Sequence, residues 1–174
     1  MRADRNALFL YARNSVELFW LRQIMFIVAT AGSSWHLQSA LPVFCYMACF
    51  AFEIIDFSIG RKVYAAPDIV TGQEALFERR CEMVAVGGAL SIVIYAGVVA
   101  ALESNVFHFL SVFYLFAAAL FAAMFNHMLE GVLKIRLGIY LAGFIAVGGW
   151  EILDDWPVVE HRGKQRSREK VKHR

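Results

Sequence analysis

The 17 lysines and arginines of this 174-residue chain stand in four short clusters. Residues 23–60, 81–133 and 137–161 contain neither type. A cation at the centre of a bilayer costs about 2.5–3.5 kcal/mol on insertion scales, so long stretches free of Lys and Arg are what immersion in lipid demands. Composition agrees: 59% of the residues are hydrophobic, against roughly 45–50% in soluble domains, and the mean hydropathy is +0.53. The expected fold class is therefore all-α, a polytopic integral membrane bundle of about five transmembrane helices preceded by an amphipathic N-terminal helix.

The length leaves no room beside such a bundle for a separate soluble catalytic domain of about 100 residues. No Gly-rich phosphate loop, Cys-x-x-Cys pair or Gly-x-Ser-x-Gly elbow is present, and these signatures would be needed for several common enzyme classes. Cys45, Cys49 and Cys81 form no disulfide framework, and the first two lie one helical turn apart in an apolar run, as small apolar fillers do. The sequence thus reads as a non-enzymatic membrane protein.

Five apolar segments are expected to span, at residues 21–36, 41–59, 82–102, 107–128 and 137–152. Residues 5–20 mix Arg5, Arg13 and Glu17 with Leu8, Phe9, Tyr11 and Phe19, the composition of a helix lying at the membrane surface. Residues 23–60 would extend about 57 Å as helix, enough for two short crossings of a core about 30 Å thick, with a tight turn near 33–42. Trp20 and Trp35 bracket the first crossing as interfacial anchors, and Ser39 and Pro42 suit the cap and first turn of the second. Residues 61–80 read as an aqueous loop with a short helix near 73–80. Gly138, Gly143, Gly148 and Gly149 punctuate the fifth segment, and such a surface lets another helix approach closely, either in the same bundle or in a protein partner or second copy. Residues 1–157 form the bundle in this reading, and 158–174 a basic, disordered tail.

The cation clusters also orient the chain. They hold four residues before 23, four in 61–80, two at Lys134 and Arg136, and seven in 162–174. With a cytoplasmic N-terminus the first three lie inside, as the positive-inside rule favours; five spans put the tail outside, whereas a re-entrant or interfacial fifth segment would keep all 17 cations inside. The chain is expected in a bacterial cytoplasmic (inner) membrane. The lipid bilayer is its first partner; the basic tail is most simply solvated, with anionic lipid as the alternative contact. Without interleaved aromatic residues to stack bases, the tail offers little to nucleic acid.

In that orientation Glu53, Asp56, Glu82, His127 and Glu130 converge on the cytoplasmic ends of the helices. Glu53/Asp56 and His127/Glu130 are i,i+3 pairs, each on one helix face. A di-metal bundle site uses carboxylates and His at this spacing, but the Glu-x-x-His order is reversed here and does not repeat, so no metal site is assigned. The structural reading pairs these acids with Arg61, Lys62, Arg79, Arg80 and Arg136 to fix helix register. Ionisable residues within spans are functional candidates, and Glu53 lies deepest in an apolar run. His36 and His108, both on the outer side, would be the axial pair of a b-type haem in an alternative reading as an electron carrier; the main reading has no cofactor. A small transporter or channel subunit is a further alternative, although no internal repeat supports it.

The order of elements is itself informative. A basic amphipathic entry ending Phe19-Trp20-Leu21-Arg22-Gln23, a tight hairpin, and Phe52-Glu53-Ile54-Ile55-Asp56 running into Gly60-Arg61 resemble the N-terminal multi-span membrane regions of bacterial sensor histidine kinases and diguanylate cyclases. The resemblance covers residues 5–152. It implies a sensory or anchoring module in signal transduction; no phosphoacceptor His box, ATP-binding glycines or Gly-Gly-Asp-Glu-Phe signature follows, so it carries over no catalytic residue.

Overall fold

The computed structural model describes residues 5–66, 71–103 and 109–149. Six helices account for nearly all of them: α1 (Arg5–Glu17), α2 (Phe19–Leu37), α3 (Leu41–Ala65), α4 (Glu74–Leu102), α5 (Phe109–Phe125) and α6 (Glu130–Gly149). Among the described residues there is no strand, so the all-α expectation holds. The expected tail at 158–174 lies outside the described residues.

α3, α4 and α6 are long and apolar enough to cross a membrane. α1 and α2 meet at a 49° bend and pass the same test only as a pair, a broken span or re-entrant loop, which brings the number to at most four. Against the expectation of about five spans, three helices qualify by length and composition, or four with the bent pair. The bend at Leu18 falls between the amphipathic entry and the first apolar run, which lies within α2, and α5, at 17 residues, stands at the short limit for a crossing. The outward surface nevertheless suits lipid, since Trp20, Val28, Trp35, Phe44, Ile94 and Ile145 are all exposed, more apolar surface than a soluble monomer shows.

Helix limits differ from the sequence reading where charged residues were taken to mark loops. α3 continues through Arg61 and Lys62, which point outward on its last turns, and α4 begins at Glu74, so that Arg79 and Arg80 ride on its second turn. Arg80 lies over the Phe77 ring at 5.7 Å. Helices of 25 and 29 residues reach about 37 and 43 Å, longer than the hydrocarbon core, and their charged ends extend into the head-group layer. Likewise α6 starts at Glu130, so Lys134 and Arg136 belong to its first two turns. The turn between α2 and α3 follows the sequence reading more closely. Gln38 takes the left-handed conformation (φ 51°) that ends α2, the Leu41 N–H donates to Ser39 Oγ, and Pro42 sits in the first turn of α3.

α4 is the central helix. Its buried residues Phe77, Cys81, Ala85, Gly88, Ala89, Ile92, Tyr95, Ala96 and Val99 recur at helical spacing, and their small size lets α3 and α5 pack on it. A Cβ on Gly87 would collide with the Phe52 ring of α3. Two apolar clusters result. One joins Tyr46, Cys49, Ile92, Tyr95, Tyr114, Leu115 and Tyr140 with their neighbours; the other joins Leu8, Tyr11, Val63, Phe77, Cys81, Leu129 and Val132. The charged side chains described next lie where these clusters meet.

Candidate functional site

On α3 the buried residues Cys49, Glu53, Asp56, Gly60 and Val63 follow one another by three or four positions, so a single face carries both carboxylates inward. Gly60 is what brings α1 to them. A Cβ there would lie 3.2 Å from the Ala12 carbonyl oxygen and 3.2 Å from the Ser15 Cβ, so any larger residue would push α1 away. With α1 this close, the Tyr11 hydroxyl donates to Asp56 Oδ1 at 2.7 Å and Ser15 Oγ donates to Asp56 Oδ2 at 2.7 Å. Arg22, four residues past the bend, reaches the same spot. Its Nη2 donates to the Ser15 carbonyl at 3.2 Å and lies 3.3 Å from Glu53 Oε2 and 3.9 Å from Asp56 Oδ2. The contact with Glu53 is an ion pair without hydrogen-bond alignment, and Glu53 Oε2 accepts no hydrogen bond.

All these groups are buried: Asp56 is 1% exposed, and Arg22 and Glu53 8% each. Asp56 has a partner on each oxygen and a cation beside it, as a carboxylate must to remain charged away from water. Gln23, next along α2 and 1% exposed, accepts from the Tyr46 hydroxyl at 2.9 Å. Towards the other end of the bundle Ser33 Oγ and the Tyr114 hydroxyl share a 2.8 Å hydrogen bond, tying α2 to α5.

Arg136 of α6 is the second buried cation, 7% exposed. Its Nε makes no hydrogen bond, and among the described residues no carboxylate oxygen lies within ion-pair distance of its guanidinium. The ionisable groups that face it are Tyr11, Tyr140, Asp56 and Glu53. Arg136 borders a cavity of about 110 Å³ between α2 and α5, with Arg22, Glu53 and Asn126 also on its wall. The rest of the lining is apolar or aromatic, including Phe26, Phe113, Tyr114, Phe121, Phe125 and Tyr140.

The five acidic and histidine residues expected to converge separate into three places. Glu53 and Asp56 are together and buried. Glu82, half-buried on α4, lies against Gly131 of α6, where a Cβ would strike its carboxylate. His127 and Glu130 are exposed; the His127 ring contacts the Met124 carbonyl, and Glu130 pairs with Lys134 at 2.7 Å. Among the described residues no three His, Cys, Asp or Glu side chains stand close enough together to hold a metal ion. His36 is exposed near the end of α2, and His108 lies outside the described residues, so the axial pair of the haem reading is not placed.

Of the cations expected to serve the acids, only Arg136 is nearby; Arg61, Lys62, Arg79 and Arg80 are exposed. The partner that sequence reasoning missed is Arg22, together with Tyr11 and Ser15. A signal was there: positions 11, 15 and 22 fall within about 40° of one another at 100° per residue, on one helix face. Compared with models of protein families, with curated proteins and with solved structures, the chain matches none.

Proposed function

We propose that this chain is a non-enzymatic sensory or anchoring module of a bacterial cytoplasmic membrane, acting through lipid or protein partners. The observation that carries the reading is the buried clamp of Tyr11, Ser15, Arg22, Glu53 and Asp56, which fastens the amphipathic α1 to the middle of an apolar helix. Charged groups inside an apolar helix are expensive and are found where function or register requires them. Here they link a helix suited to the head-group layer to one suited to the hydrocarbon, the coupling a membrane sensor needs. The resemblance in layout to the membrane regions of sensor histidine kinases and diguanylate cyclases supports the same reading.

In this proposal the N-terminus is cytoplasmic and five segments cross: α2, α3, α4, α5 and α6. α5 supports it by being almost wholly apolar, PheLeuSerValPheTyrLeuPhe and onward, and a tilt-free crossing needs as few as about 17 residues. Open space beside Gly138, Gly148 and Gly149 supports α6 as the face offered to a partner helix.

The test is a dimerisation-dependent reporter enzyme fused ahead of Met1, read in cells making wild type or Glu53→Gln. A change in reporter output at equal membrane abundance is the expected result. Equal output from both, with both inserted, would return Glu53 to a purely structural role and remove the main support for a sensor.

A further inference from the structure

We infer that the exposed cations Arg61 and Lys62 of α3 and Arg79 and Arg80 of α4 form a seat for the head group of an anionic phospholipid whose acyl chains lie along the same two helices. The inference rests on the membrane reading above and names the lipid class that one face of the bundle takes.

The register of the two helices brings the four cations together. A Cβ on Gly87 of α4 would meet the Phe52 ring of α3, and Val63 of α3 shares a buried cluster with Phe77 of α4. Rising residue numbers on one helix thus meet falling numbers on the other, as antiparallel neighbours do. Arg80 stands seven residues before Gly87, and Ile59 seven after Phe52, so Arg79 and Arg80 come level with residues 60 and 59. At 1.5 Å per residue, Arg61 and Lys62 lie within about 5 Å of that level along the axis. Packed helices are about 8–10 Å apart, a distance that side chains of this length bridge to a common anion.

Charge and surroundings select the partner. All four side chains are exposed, and among the described residues none of them pairs with a carboxylate; Arg80 has the Phe77 ring beneath it. The acids on the same turns of α4 do not answer them: Glu74 Oε1 accepts from the Gly72 N–H, and Glu74 and Glu78 are both half-buried. Phosphate is the natural acceptor for guanidinium and ammonium groups left open in this way. The apolar neighbours then favour a lipid over a soluble anion. Arg61 and Lys62 follow Ile54 and Ile55 by seven residues and Arg79 precedes Met83 by four, so each shares a helix face with an apolar side chain one or two turns deeper. Ile54, Ile55 and Met83 are all exposed, and Leu90 and Ile94 continue the α4 face. An anionic phospholipid fits both parts, its phosphate against the cations and its chains against this apolar band. In the proposed orientation the seat lies in the cytoplasmic leaflet, whose surface is negative.

The experiment compares spin-labelled phosphatidylglycerol with spin-labelled phosphatidylcholine for association with the full chain in phosphatidylcholine vesicles. Wild type should prefer phosphatidylglycerol at least fivefold. Lys62→Gln/Arg80→Gln should lose most of that preference, since each cation near an anionic group is worth about fivefold. Arg13→Gln/Lys134→Gln removes the same charge from cations already paired with Glu17 and Glu130 and should keep it. An unchanged unfolding temperature would show that both variants are folded. No preference in folded, inserted wild type would overturn the inference and leave the sensor reading standing. Equal losses in the two double variants would overturn it in favour of net charge alone. Displacement of the lipid by inorganic phosphate or by a polyglutamate peptide would overturn it in favour of a free anion or an acidic protein. A chain absent from membranes would overturn both readings.

Discussion

Asp56 and Arg136 are buried to nearly the same degree, 1% and 7% exposed, yet their surroundings differ in kind. Asp56 sits in the seam between α1 and α3 with both oxygens hydrogen-bonded and Arg22 alongside. Arg136 stands at the edge of the gap between α2 and α5 with its Nε unmet. The first arrangement holds helices together, because each oxygen of Asp56 has its partner within the chain. In the second, Nε makes no hydrogen bond, and Tyr11, Tyr140, Asp56 and Glu53 face the guanidinium from the surrounding helices. Burial alone does not say how firmly a charge is held; its partners do.

Four changes would break or sharpen that contrast. The largest effect belongs to Asp56→Ala, which leaves Arg22 with the Ser15 carbonyl and an imperfect contact to Glu53 and takes the shared acceptor from the Tyr11 and Ser15 hydroxyls. A loss of about 3–5 kcal/mol is expected, read from unfolding in nanodiscs. Tyr11→Phe removes one hydrogen bond to a charged acceptor and should cost about 1.5–3 kcal/mol; a smaller loss would mean that α1 is held by packing of Leu8 and Ala12 instead. Ser33→Ala cuts the bridge to Tyr114 at the other end of the gap. Hydrogen bonds between membrane helices average about 0.6 kcal/mol, and a loss of that order is expected, with wider separation of spin labels placed on α2 and α5. Glu130→Gln, which touches only the exposed Lys134, should leave the unfolding curve where it was.

The sequence made the architecture legible because hydrocarbon excludes cations: the gaps between Lys and Arg clusters contain the cores of the helices. It was less reliable about helix ends. Arg61, Lys62, Arg79 and Arg80 looked like loop residues, but long cationic side chains can leave a helix sideways and reach water, so α3 and α4 run on through them. It was weakest on the site. Glu53 and Asp56 were recognised from their setting in an apolar run, but Arg22 read as the last member of a cytoplasmic cluster. Its place on the same helix face as Tyr11 and Ser15 was legible, but that α3 lies alongside this face is not encoded in the residues next to it. Glu82, His127 and Glu130 share a level of the bundle with the clamp, yet level does not specify the direction a side chain takes around the helix axis.

The most direct test sets the two buried charges against each other: unfolding of Asp56→Ala and Arg136→Met in identical nanodiscs without added ligand. Arg136 makes no ion-pair contact among the described residues, so replacing it with an apolar side chain of similar length should cost far less stability than Asp56→Ala, which removes the acceptor of two buried hydrogen bonds. Equal, large losses in both variants would contradict the account, because Arg136 would then be as much a structural member of the clamp as Asp56.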